Sequence, residues 1–230
     1  MKPSLSLALD ADERACAGHP RTVVSLLLRA AYNAAMQPAG STVEYKIRDL
    51  PRLETPRLVL RALSLGDVDD IFAYASDSEV TRYTIFERHL SSKTTIEWLR
   101  SVVDMYRDGH PGPWGMELRS SRRLIGACGF RNWETQHGRA EMGYTVTRAY
   151  WNQGYATEAV RVLIDFGFEH MNLNRIEARA VPANVGSTRV MEKAGMKFEG
   201  VLRQSEFFKG AYQDLAIYST CAIIRGVSGQ

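Results

Sequence analysis

One run of residues, EMGYTVTRAYWNQGYATEAVRVLID from Glu141 to Asp165, constrains this chain more than any other. It reads as a strand, a short loop with Gly154 and Ala156 at its end, and a strongly amphipathic helix. Ala156, Ala159, Val160, Leu163, Ile164, Gly167 and Phe168 recur at helical spacing, and Glu158, Arg161, Asp165 and Glu169 take the opposite face. Small residues leading into a helix leave backbone N–H groups unpaired at the positive end of the helix dipole. Such an end can cradle a phosphate or pyrophosphate without a side-chain charge. An ordinary strand-to-helix turn is the plain alternative.

Other phosphate-binding folds leave signatures that are missing here. A dinucleotide fold needs G-x-G-x-x-G directly after the strand, and a nucleoside-triphosphate loop needs G-x-x-x-x-G-K-[ST]; neither string occurs. The loop also stands late in the chain and not after the first strand. Hydrophobic residues at 45% and charged residues at 24% are ordinary for a globular domain, and 230 residues suffice for a generous core. A net charge of +3 gives no argument for a nucleic-acid partner. Cys16, Cys128 and Cys221 are far apart and form no C-x-x-C pair, and the five histidines show no H-E-x-x-H pattern. This suits a reducing compartment and indicates no disulfide framework and no metal. No apolar run approaches the roughly eighteen residues of a membrane span. Val23–Met36 comes nearest, interrupted by Arg29 and Asn33, and it follows an acidic cluster instead of a basic one. The expectation is a cytoplasmic protein with no membrane partner.

Residues 1–51 read as an N-terminal extension with one short helix over Thr22–Met36, and residues 52–226 as the main domain. Arg57–Arg61 reads as the first strand. Ser64, with Asp67 at the capping-box position, opens a helix carrying Leu65, Val68, Ile71, Phe72 and Ala75 on one face. Ser78–Leu90 reads as irregular. Ser91 or Ser92 then caps a helix with Ile96, Leu99, Val102, Val103 and Tyr106, stopped by Gly109-His110-Pro111. Trp114–Leu118 and Leu124–Phe130 read as an antiparallel pair around Cys128, which suits a buried structural cysteine better than a nucleophile. Glu141–Val146 and Arg175–Val181 are further strands. Asn184–Ala194 is a helix closed by Gly195, and Lys197–Glu206 and Tyr212–Ile224 are the last strands.

With AEMGYTV, YWNQGYATEAV, NRIEARAVPANVGSTRVMEKAGMKFEG, KGAYQD and the TPRLVLRAL opening in this order, the chain resembles the GNAT superfamily of acetyl-CoA-dependent N-acetyltransferases. Within it the likeness is to the Rim-type branch, which acts on ribosomal-protein N-termini. The resemblance covers roughly Leu53 to Ile224. One position departs from it: Trp151 stands where the family's Q/R-x-x-G-x-G/A loop has its leading Gln or Arg, and Gln153 lies beside Gly154. The fold this implies is α+β, of the GNAT type: a mixed sheet of six to seven strands flanked by about four helices.

The resemblance further implies acetyl-CoA as co-substrate and a primary amine as acceptor, most of all a peptide or protein N-terminus. The alternatives are a small amine (polyamine, amino acid or antibiotic) or a non-catalytic CoA-binding protein. Gln153, Gly154, Tyr155, Ala156 and Thr157 would hold the pyrophosphate. Backbone at Tyr144, Thr145 and Val146 would pair with the pantetheine arm and meet the developing oxyanion. Glu141, then Glu177, would serve as base, unless water does so with no single base, or each is a strand acid paired with a neighbour such as Arg139 or Arg179. Asn184 would contact CoA or only cap its helix, and Ser187 would offer a hydroxyl to the leaving sulfur, Met191 standing where other members have a tyrosine. Arg82, Tyr83, Phe86 and Glu87 are candidates for acceptor contact. Homodimers are common in the superfamily, which makes a homodimer one admissible assembly.

Overall fold

The computed structural model describes residues 50–109 and 112–222; the helix expected over Thr22–Met36 lies outside them. The chain enters through a two-residue strand β1 (Leu53–Glu54) and turns back into β2 (Leu58–Ala62). A 3-10 turn, Leu65–Asp67, runs into α1 (Val68–Ala75). Ser64 does open this segment: its N–H donates to Asp67 Oδ2 at 2.8 Å, while Arg61 holds the same carboxylate from the strand side at 2.7 Å. Within the stretch expected to be irregular there is one helical turn, α2 (Ser78–Thr81), because Asp77 Oδ1 accepts from the Glu79 N–H at 2.8 Å. The long helix α3 (Ser92–Arg107) is capped by Ser91, whose side chain accepts from the Thr94 N–H.

Then come β3 (Trp114–Leu118), β4 (Leu124–Glu134), β5 (Arg139–Val146), α4 (Tyr155–His170), β6 (Arg175–Ala180), α5 (Val185–Lys193), β7 (Lys197–Phe208) and β8 (Ala211–Cys221). The eight strands form one sheet in the order β1-β2-β3-β4-β5-β6-β8-β7. Every described neighbour pair is antiparallel except β5 and β6, which the α4 crossover makes parallel. The mixed sheet matches expectation; the short β1 accounts for the eighth strand.

Two apolar clusters hold the helices to the sheet. Leu163, Val160 and Ile164 of α4 pack with Trp114, Met116, Ile125, Phe130 and Ile176 of the strands. Ile71 and Tyr74 of α1 and Leu99 and Val102 of α3 pack with Leu63, Leu124 and Ala127. Trp114 is fully buried, meets Phe166 edge-on at 5.5 Å between centroids, and donates its indole N–H to the Pro51 carbonyl at 2.7 Å. Burying a ring of that size contributes roughly 2–3 kcal/mol, and the hydrogen bond fastens the start of the domain to its centre.

One residue of α4 departs from the expected polar face. Arg161, Asp165 and Glu169 are exposed, but Glu158 turns inward. Its carboxylate accepts from Thr55 Oγ1 at 2.6 Å, the Arg57 N–H at 2.9 Å and Arg57 Nε at 2.6 Å. The start of β2 lies within reach of the first turn of α4, so an acid there is tied down and not solvated.

Close approach of strands fixes one glycine. A Cβ on Gly126 would stand 2.1 Å from the Thr145 carbonyl oxygen and 2.7 Å from Met116 Cε. Gly126→Ala is expected to lower unfolding stability by at least roughly 1–3 kcal/mol, read as a fall in denaturant midpoint at unchanged slope. An unchanged midpoint would show that β4 and β5 are not packed so closely.

Candidate active site

The two parallel strands stay together for a short distance only. Their register runs from Arg139↔Arg175 to Met142↔Ala178 and stops, although β5 continues to Val146 and β6 to Ala180. Past that point each keeps its outer neighbour, β5 pairing with β4 through Val146 and β6 with β8 through Ala180. The sheet therefore opens between them. Backbone groups on the facing edges of Gly143–Val146 and Arg179–Ala180 have no ladder partner across the gap, and such groups seek one elsewhere.

A cleft of about 390 Å³ occupies this opening. Gly143, Tyr144 and Thr145 of β5, Arg179 and Ala180 of β6, and Asn184, Ser187 and Met191 line one side. Gly143 faces open space, since a Cβ there would meet nothing within 4 Å. Asn184 caps α5, its Oδ1 accepting from the Ser187 N–H at 3.3 Å. The Tyr144 hydroxyl lies 2.9 Å from Ser187 Oγ and also donates to the Ser187 carbonyl at 2.9 Å. Burial pushes the Tyr144 phenol well above its usual range, against a smaller opposing pull from Ser187. The phenol is therefore protonated at neutral pH and available as a donor. Cys128 also lines the cleft, yet it is buried and its thiol is pushed up by that burial, which suits an inert side chain.

The loop leading into α4 is joined to the end of β5 through Trp151, whose indole N–H donates to the Val146 carbonyl at 2.7 Å. Gln153 turns back to the Ala149 carbonyl at 2.9 Å. Gly154 is the N-cap at φ +83°, a left-handed conformation that favours glycine, and no side chain caps this helix end. The first helical bond is the Glu158 N–H to the Gly154 carbonyl, so the amides of Tyr155, Ala156 and Thr157 make up the open first turn. Arg57 braces the whole loop. Its Nη1 donates to the Gln153 carbonyl at 2.9 Å, its Nε engages Glu158, and its guanidinium lies 4.3 Å from the centroid of the Tyr155 ring.

Glu141 and Glu177 are neighbours across the parallel pair, but neither lines the cleft. Both line a smaller cavity of about 290 Å³ with Asn132, Trp133 and Arg139. Glu141 is 4% exposed and is held by Arg131, by Asn132 Nδ2 at 3.1 Å and by Arg179 at 3.9 Å. Glu177 pairs with Arg175 at 2.8 Å and with Arg179 at 3.5 Å. The two arginines held by Glu141, Arg131 and Arg179, are the residues that reach the cleft. Sequence reasoning missed Arg57 and Arg131, since no local pattern links them to the loop or to the carboxylates; Arg179, named there as a pairing neighbour of the strand acids, does pair with both. Of the acceptor-side candidates, Tyr83 and Phe86 line the cleft; Arg82 stacks on Tyr83, and Glu87 pairs with Lys209 at 3.0 Å.

Residues 57–197 match the acetyltransferase (GNAT) domain family. A Bacillus subtilis (strain 168) protein named the uncharacterized N-acetyltransferase YoaA is 37% identical over 169 residues, spanning 74% of this chain and 96% of its own length. The solved structure of an acetyltransferase (GNAT family) from Bacillus anthracis is 28% identical, with a TM-score of 0.67 over 74% of this chain and 98% of that one. RimL, a ribosomal L7/L12 alpha-N-protein acetyltransferase solved in complex with coenzyme A, shares the fold at 16% identity and a TM-score of 0.67, again over 74% and 98% of the two chains.

The brace at the loop has a pH signature. Burial acts to raise the Glu158 carboxyl, but the hydrogen bonds from Thr55 and Arg57 outweigh it and hold the carboxyl below the usual 4.5. A carboxylate with a depressed folded-state value contributes stability above its unfolded value and loses it as pH falls through the folded one. Glu158→Gln is expected to be less stable than the parent at pH 7 and to show a flatter stability loss below pH 4.5. Denaturant midpoints across pH check this, and parallel acid limbs in the two proteins would contradict it.

Proposed function

The chain belongs to the GNAT family of acetyltransferases and is an acyltransferase; from that premise we propose that it acetylates the α-amine of a peptide or protein N-terminus in the cleft between β5 and β6. Acetyl-CoA, bound as co-substrate, supplies an acetyl group activated as a thioester. The residues present suit it: an unpartnered strand edge beside the cleft can pair with an extended amide-bearing arm, and an uncapped helix N-terminus stands where that edge ends. In this reading the backbone of Tyr144, Thr145 and Val146 aligns the arm and offers an N–H to the developing oxyanion. Gln153, Gly154, Tyr155, Ala156 and Thr157 supply main-chain amides to the pyrophosphate. Asn184 holds the start of α5 in register with them.

The observation that carries the reading is the Tyr144–Ser187 pair at the mouth of the opened sheet. Ser187 Oγ gives its proton to the departing sulfur. Tyr144, whose hydroxyl reaches both Ser187 Oγ and the Ser187 carbonyl, turns its own proton toward Oγ as a hydrogen-bond donor, and Oγ regains a proton from solvent water in the open cleft. A thiol of pKa about 8.5 leaves readily, so this modest donor suffices.

The acceptor must reach the cleft largely neutral, because none of the described residues lining it is an Asp or Glu. Near pH 7.4 an α-amine of pKa about 7.7–8.0 is roughly a quarter neutral, whereas lysine at about 10.4 is neutral to roughly 0.1%. The site's chemistry therefore favours N-terminal amines over lysine. Glu141 and Glu177 act at one remove: they hold Arg179, and once the neutral amine has attacked, the proton its nitrogen sheds passes to them through an intervening water.

The test is mass spectrometry of a peptide carrying a free N-terminus and an internal lysine, after incubation with acetyl-CoA. Acetyl on the N-terminus is the expected product; acetyl on lysine alone, or on polyamines alone, would overturn the assignment. Ser187→Ala is expected to lower kcat roughly a hundredfold or more while acetyl-CoA affinity stays within a few fold. Equal turnover would leave Ser187 as a capping residue only.

A further inference from the structure

We infer that the preferred acceptor presents a large apolar side chain at the amine-bearing residue; the inference rests on the α-amine reading above and names which N-termini the site takes. Across the cleft from Tyr144 and Ser187 stands a wall built from α1, α3 and the loop after α2. It carries Ile71, Tyr83, Phe86, Trp98 and Met105. Phe86, His89 and Trp98 form a row of rings, with centroids 6.1 Å apart for the first two and 6.4 Å for the second two. His89 is buried, its Nδ1 lies 2.9 Å from Thr95 Oγ1, and burial depresses its pKa, so the row carries no charge at neutral pH.

The wall is held in place from a distant part of the chain. Lys209, in the turn between β7 and β8, donates its Nζ to the Phe86 carbonyl at 2.8 Å and to Glu87 Oε2 at 3.0 Å. The Phe86 backbone is thus fixed before any acceptor arrives, which favours recognition by shape.

The polar groups of the cleft point the same way. Its charged lining, among the described residues, is Arg131 and Arg179, each turned toward Glu141 behind the cleft surface. A guanidinium only donates hydrogen bonds. It can receive the carbonyl oxygen next to an α-amine, but it offers nothing to the further ammonium groups of a polyamine. An apolar side chain, by contrast, leaves water for the ring row.

The experiment compares kcat/KM for peptides that differ only at the first residue, Leu, Met or Phe against Gly, Ser, Asp or Lys, with spermidine alongside. The large apolar residues are expected to lead Gly and Ser by roughly tenfold or more. Phe86→Ala is expected to narrow that ratio while acetyl-CoA still raises the Tm of the variant as it does the parent's. Equal or better use of Gly, Ser or spermidine would overturn the inference, as would an unchanged ratio in Phe86→Ala, while the acetylated products themselves would keep acetyl transfer in place. Silence with every acceptor would overturn the α-amine reading and this inference with it.

Discussion

The loss of pairing between β5 and β6 beyond Met142 and Ala178 is the constraint on which the rest of the site depends. A sheet that opens leaves peptide groups facing a gap, and unpaired buried peptide groups are costly. The structure tolerates the opening because each half of the sheet is anchored on its far side, β5 to β4 and β6 to β8, and because the core packed under α4 runs beneath both. The crossover through α4 then brings an uncapped helix end to the margin of the same gap. Strand edge and helix N-terminus thus face one gap, and in the proposed reading an extended, anionic ligand takes up the main-chain donors of both.

Charged residues around the gap tie the strands that flank it to one another. A carboxylate as buried as Glu141 persists only with partners, and Arg131, Asn132 and Arg179 supply them from two other strands. Arg179 also meets Glu177 at 3.5 Å and Glu206 at 3.6 Å, so β5, β6 and β7 are cross-linked on one face of the sheet. At the other end, Arg57 and Glu158 tie the entry strand to the helix that carries the loop. Removing one member of such a set leaves the others buried and unpaired, so these groups are coupled and their effects do not add.

How much of this the sequence disclosed follows from the range of each interaction. Local patterns were readable: the 3.6-residue period of α4, the Ser91 and Asn184 caps, the glycine before Tyr155 and the antiparallel pair around Cys128. Motifs in order were enough for the family and for the mixed sheet. Contacts that join distant segments were not readable. Glu158 looked solvated because its partners lie about a hundred residues away, as the 101–103 residue separations record. Glu141 and Glu177 drew attention as acids on the right strands, yet they lie further back, where β5 and β6 are still paired, and so line the smaller cavity and not the cleft. Phe86, Trp98 and Lys209 belong to three segments that only the fold assembles.

Amide hydrogen exchange with and without CoA tests the central claim, that unpaired backbone at the opened sheet and at the α4 N-terminus forms the ligand's seat. The account predicts slowed exchange confined to Gly143–Val146 and to Tyr155–Thr157 when CoA is present, with the antiparallel ladder of β2 and β3 unchanged. Bound CoA with no protection at either segment would contradict it.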